Sequence, residues 1–251
     1  MNTSKLLLAI AVPTLLWGSS AMAQSAHDEL THAHAASEHA HLLAETADAP
    51  FDSLKHIIDH AHDMIEEALD LAKAGDVAAA KEEMTDAVLA LDSAHELSEA
   101  IAVSAASTHR FAEEAHMLVE KAVKINAAEL AKDKNDPHLK ANAAELAIAD
   151  KQAGHADEEA EVAEKETEKA HQATERALNA AKAATTANGA AVLSAINAAH
   201  DATEAADKAI WAAEHAVHDI DNSAEAAHEA ITSAHNHTET VELIEMGEHQ
   251  K

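Results

Sequence analysis

The sequence predicts an all-α protein, an antiparallel helical bundle followed by a long alanine-rich coiled-coil hairpin. Three observations carry this. Ala, Glu, Asp, Lys and His dominate the chain, while aromatics make up 2% of it. No run of β-branched residues alternates with polar ones, so a strand has nothing to be built from. Glycine and proline are scarce, 5 and 3 in 251 residues, so helices run long between few stops.

The stops come in order. Lys5, the apolar run LLLAIAVPTLLWG and the small residues SSAMA form a charged, an apolar and a cleavage region, which reads as a secretory signal peptide over 1–23 cut after Ala23. Leu6 to Trp17 is shorter than the roughly twenty residues of a membrane span. An exported, soluble chain from Gln24 follows, located in a bacterial periplasm and not inserted in the membrane once the signal is removed. Ser25 and Asp28 make a capping box, Ala49-Pro50 a stop, Gly75-Asp76 a C-cap and a new N-cap, and Asp136-Pro137 a cap with the first helical residue. These marks predict helices at 26–48, 51–74, 77–133 and from 137 onward. The stretch SAAST at 104–108 is where the third would break.

Two domains are expected after the signal. Over 24–135, larger apolar residues recur at helical spacing: Leu54, Ile58, Ile65, Leu69, Val77, Met84, Val88, Leu91, Phe111, Leu118 and Ile125. Short loops between such helices make an up-down bundle. Over 136–251, alternate steps of three and four from Leu139 to Ala216 visit 23 positions, 17 of them Ala and none charged, where the local alanine content predicts eight or nine. Such a seam brings helices close together, within the chain or between copies as a homo-oligomer. It keeps phase across Asn188-Gly189, where the poor helix formers of TTANG favour a hairpin over one continuous rod.

Charge and histidine content narrow the function. With 46 Asp+Glu against 17 Lys+Arg, the formal charge is -29, which repels nucleic acid and anionic membranes. The chain has no cysteine, hence no disulfide, thiolate ligand or haem attachment motif, but it has 21 histidines. His27, His34 and His41 share one helical stripe; His32 and His39 lie about half a turn away. His56 and His60 have the i, i+4 spacing of two ligands to one ion, with Asp59 and Asp63 nearby.

Eleven of the 21 histidines are followed at i+4 by an acid, where about four are expected; His34–Glu38, His41–Glu45, His62–Glu66, His109–Glu113, His116–Glu120, His215–Asp219 and His235–Glu239 are among them. Helix-stabilising ion pairs prefer the opposite order. A carboxylate one turn after an imidazole can complete a chelate or orient the ring. His218 and His237 add imidazoles near the chain's end. Metal ligation is therefore favoured over a merely polar helix face or over passive copying of an ancestral repeat. Imidazole and carboxylate without thiolate suit Cu(II), Ni(II), Zn(II) and Co(II), with copper binding tightest.

The stretch HIIDHAHDMIEEALDLAKAGDVAAAKEEMTDAVLALDSAHE, together with the signal peptide and HAHAASEHAHLLAE, resembles the bacterial small metal-binding protein family over residues 25 to about 125. That resemblance implies a periplasmic bundle of His-rich heptads binding copper, nickel and zinc, with His34, His41, His56, His60 and His62 on comparable repeats. This chain departs from it in length and in the scarcity of histidine between His62 and His95.

The resulting expectation is a non-enzymatic periplasmic buffer of divalent transition ions. No phosphate loop, nucleophile elbow or HExxH stretch argues for catalysis. Two alternatives stand beside it: a coiled-coil envelope spacer, and an acidic protein that responds to pH as its histidines protonate.

Overall fold

The computed structural model describes residues 25–248, so the expected signal peptide over 1–23 lies outside the described residues. Five helices follow one another: α1 (Ala26–Glu45), α2 (Asp48–Ala74), α3 (Val77–Lys132), α4 (Pro137–Thr186) and α5 (Ala191–Glu248). The caps fall where the sequence puts them. Ser25 Oγ accepts from the Asp28 N–H at 3.1 Å while Asp28 accepts from the Ser25 N–H. Gly75 closes α2 with φ +89°, a conformation that favours glycine. Asp76 and Asp136 cap α3 and α4, the latter with Pro137 in the first turn.

One expected break is displaced and another is absent. The interruption between the first two helices falls at Thr46–Ala47, three residues before Ala49-Pro50. Thr46 and Ala47 keep right-handed helical dihedrals, and Pro50 falls in the first turn of α2, where a missing N–H leaves no bond unmade. Thr46 Oγ1 donates back to the carbonyls of Leu42 and Leu43 across the irregularity. α1 and α2 together form one rod of the bundle, both packing on α3 and α5. α3 does not break at 104–108, where Ser107 and Thr108 donate their hydroxyls to the carbonyls four residues back.

The rod α1–α2, then α3, α4 and α5 form an antiparallel four-membered bundle, each long helix packing on two neighbours and α4 lying opposite the rod. A helix of 56 residues makes it about 84 Å long. Residues of both expected domains share its core. Phe51, Leu54, Ile58 and Ile65 of α2 and Met84 and Leu91 of α3 belong to the same buried cluster as Ala160 to Ala184 of α4 and Ile196, Ile210 and Ile220 of α5. Every position of the expected seam on α4, from Leu139 to Ala184, is buried, covered by helices of the same chain.

On α5 the seam is off by one residue. The buried stripe is Val192, Ile196, Ala199, Thr203, Ala206, Ile210, Ala213 and Val217, whereas Ala191, Ala198 and Ala205 are exposed. The turn at 187–190, with Gly189 at φ +55°, is not helical and resets the phase. Isoleucine and valine then face the core because they bury more apolar area than alanine. On α3 the stripe after Leu91 runs through Ala94, Ser98, Ile101 and Ala105. Phe111, Leu118 and Ile125 are half-buried on its flank, and Val77 is exposed, because small residues let the neighbouring helices come close.

Candidate metal centre

A subset of the histidines, among them His27, His34, His41, His62, His95, His109 and His116, is half-buried beside the core stripes, where a side chain neither enters the core nor leaves the helix pair. From there they reach the facing helix. Along the α1–α2 rod and α5 the partners are His27–His235, His34–His228, His41–Asp221 and His62–His200. Each rung advances by seven or three times seven residues on one side and retreats by as many on the other, as antiparallel helices in one heptad phase require. The phase survives the interruption at Thr46–Ala47. A second ladder joins α3 to α4: His95 meets His171, with ring centroids 4.9 Å apart. His109 reaches Glu164 at 2.5 Å and Asp157 at 3.6 Å, and His116 reaches Asp157 at 3.2 Å. Gly154 makes room for this last contact, because a Cβ there would stand 3.2 Å from His116 Nε2.

One rung gathers enough donors for an ion. His62 Nε2 and His200 Nε2 face each other at 3.0 Å. Glu204, one turn after His200, completes a group whose ligand atoms all lie within 4.8 Å of one another. Glu66, one turn after His62, stands 3.9 Å from His200 Nε2. Two nitrogens on one zinc-sized ion, at bond lengths near 2.0–2.1 Å, sit about 2.9 to 3.4 Å apart. The pair is already at that spacing. Both histidines are half-buried while the carboxylates reach solvent, so an ion has a path in. Asp201 lies 3.8 Å from His200 Nδ1 and adds a negative charge beside the pair.

The other expected ligands are dispersed. His32 is half-buried on α1; His39 faces α3, its ring 5.1 Å from that of Phe111. His56, Asp59, His60 and Asp63 are exposed on the outer side of α2, and Glu38, Glu45 and Glu113 are exposed as well. Glu120 turns to Lys124 at 2.8 Å, whose ammonium holds its carboxyl below the usual range. On α5, His215 packs against Trp211, His218 and Asp219 are exposed, and His237 is half-buried with Nε2 out of solvent. Among the ion pairs of the described residues, His155–Glu159 is the one in which a histidine reaches the acid at its own i+4, at 3.8 Å.

Burial shifts two of the rung histidines. His228 and His235 are held below the usual imidazole range, first by desolvation and then by the neighbouring His34 and His27. Between the His41–Asp221 and His62–His200 rungs, Lys55 donates to Glu214 at 2.6 Å, and that bond raises its already high pKa.

A sequence pattern marks the rungs. His-x-x-Ser/Thr-Glu occurs at HAASE (34–38), HELSE (95–99), HQATE (171–175), HDATE (200–204) and HNHTE (235–239). The histidine of each copy lies in a His–His rung. Its hydroxyl, Ser37, Ser98, Thr174, Thr203 or Thr238, is buried. The hydroxyl at i+3 points to the core while the histidine and glutamate flank it, which is what a helix edge facing a neighbour demands.

No protein-family model matches the chain, and no curated protein or solved structure matches it. Among the described residues no helix is long and apolar enough to cross a membrane.

Proposed function

We propose that the protein binds and buffers divalent transition-metal ions, Cu(II), Ni(II) and Zn(II), at sites built between its helices, and that it does so in the periplasm after removal of residues 1–23. The observation that carries this reading is the meeting of His62, His200 and Glu204, with two imidazole nitrogens 3.0 Å apart and a carboxylate within reach. The donor set is imidazole and carboxylate, which suits these ions and ranks copper first. The likeness of residues 25 to 125 to the small metal-binding proteins points the same way. So does the acidic charge of -29, which raises the local concentration of cations around the bundle.

Binding, not turnover, fits this architecture, because a core filled by alanine from four close helices offers a substrate little volume. Titration calorimetry of the chain from Gln24 with each ion, alongside His62→Ala/His200→Ala, tests the reading. Binding that is tight in the parent and loses a site in the variant supports it. Weak heats identical in both overturn it.

A further inference from the structure

We propose that the rungs His34–His228 and His95–His171 are two further sites for a divalent transition ion, in which a buried serine selects the nitrogen that ligates. This rests on the metal-binding reading above and extends it to both ladders.

A serine hydroxyl carries one proton. Ser37 donates it to the carbonyl of His34 at 2.9 Å, and Ser98 donates its own to the carbonyl of His95 at 2.9 Å. The contact to the carbonyl is the shorter of the two that each hydroxyl makes, and the geometry assigns the proton there. Ser37 Oγ also stands 3.3 Å from Nδ1 of His228, and Ser98 Oγ stands 3.3 Å from Nδ1 of His171. With its proton spent, the oxygen can only accept there, and the ring must supply the N–H. That assignment makes His228 and His171 Nδ1–H tautomers with the lone pair on Nε2.

The first rung is reciprocal. Thr232 donates to the carbonyl of His228 at 2.8 Å, and its Oγ1 lies 3.3 Å from Nδ1 of His34. His34 is fixed in the same form, so both imidazoles of that rung present Nε2. Their centroids are 4.7 Å apart, against 4.9 Å in the second rung. Two imidazoles bound cis on one ion have centroids about 4.5 to 5.2 Å apart, from the same bond lengths.

Neutral histidine in water favours the proton on Nε2, so the serines impose the less common form. Ser37 and Ser98 are 3% and 2% exposed, which keeps water from competing for the oxygen. A hydrogen bond that fixes the tautomer and orientation of a ligating ring is the usual support behind a metal-bound histidine. Glu38 follows His34 by one turn, and Glu99 and Glu175 follow His95 and His171, so a carboxylate stands one turn from each rung, while in the metal-free fold the described residues bring a carboxylate into a three-ligand group at His62, His200 and Glu204. A groove between α3 and α4, lined in part by Glu99, His109 and His171, opens the second rung to solvent. Ser37 and Ser98 are positioning residues: they touch the ring, not the ion.

Long-range proton–nitrogen correlation spectra of the nitrogen-15-labelled chain from Gln24 test this at pH 7.5. In the metal-free protein, His34, His171 and His228 should show the Nδ1–H pattern. Zinc should then move the ring signals of His34, His228, His95 and His171 as well as those of His62 and His200. Ser37→Ala and Ser98→Ala should return His228 and His171 to the Nε2–H form and weaken zinc at their rungs about 10- to 100-fold, with His62 and His200 responding as before. Nε2–H patterns at these three rings in the parent protein overturn the proposal. Zinc shifts confined to His62 and His200 overturn it too, while leaving the functional reading intact; zinc that moves no histidine removes both.

Discussion

A zinc ion bound between His62 and His200, as proposed, would join α2 to α5 across 138 residues of sequence. In the unfolded chain those ligands are far apart, so such an ion would bind the folded state and stabilise it by RT ln(1 + [L]/Kd). At free zinc one hundred times Kd, that is about 2.7 kcal/mol. With a urea slope of about 2–3 kcal/mol/M, the unfolding midpoint moves up by about 1 M. His62→Ala/His200→Ala should lose that increment, and without metal it should cost only about 0.5–1.5 kcal/mol for the lost imidazole–imidazole hydrogen bond. His56→Ala/His60→Ala makes the control, because those two histidines are exposed on one helix and meet no second element. The assay is urea unfolding followed by circular dichroism, with and without zinc, on the three proteins. Any other zinc sites cancel in the comparison. An increment that survives intact in the His62/His200 variant, or that vanishes in the control, refutes the reasoning.

Three more outcomes follow from the same structure. Because His228 and His235 are held below the usual imidazole range, the unfolded chain takes up protons first as pH falls. The metal-free protein should keep its full stability above about pH 6.5 and lose it progressively as pH drops toward the folded-state values; melting temperatures at pH 7.5, 6.5 and 5.5 check this, and His228→Gln/His235→Gln should flatten the trend. Ile210→Ala should cost about 2–5 kcal/mol in urea unfolding because Ile210 is 0% exposed, whereas Leu193→Ala, at a site 39% exposed, should cost under about 0.5 kcal/mol; equal costs would contradict the phase assigned to α5. Asn142 accepts from Thr238 and donates to Asn126, tying α3, α4 and α5 together in the core, so Asn142→Ala should destabilise by about 1–3 kcal/mol in the same assay.

The helix ends were legible because capping is local: Ser25 with Asp28, Gly75, Asp76 and Asp136 act within one turn of their own position. The seam on α4 was legible for a similar reason, since one unbroken helix carries its period from Leu139 to Ala184. Phase on α5 was not. It depends on how the turn at 187–190 rotates the next helix, which Gly189 in a left-handed conformation decides and a count of threes and fours does not. Pro50 misled in the opposite way, because its position in a first turn removes the cost that makes proline a stop elsewhere.

At the site, the acid at i+4 marks His62–Glu66 and His200–Glu204 separately, yet the candidate ligand group forms where they meet. Which histidines face each other depends on helix order and antiparallel register, neither of which a single helix contains. The i+3 hydroxyl between histidine and glutamate held that information indirectly. A polar group bound for the core places its two neighbours at the helix edge, and the five copies of that pattern mark rung histidines.

Diffraction from crystals of the zinc-loaded protein, with anomalous differences measured across the zinc edge, tests the central claim most directly. The account predicts a peak about 2.0–2.1 Å from both His62 Nε2 and His200 Nε2, with a carboxylate oxygen of Glu204 or Glu66 in its coordination. Zinc found only at exposed groups such as His56 and His60, with His62 and His200 still paired to each other, would contradict it.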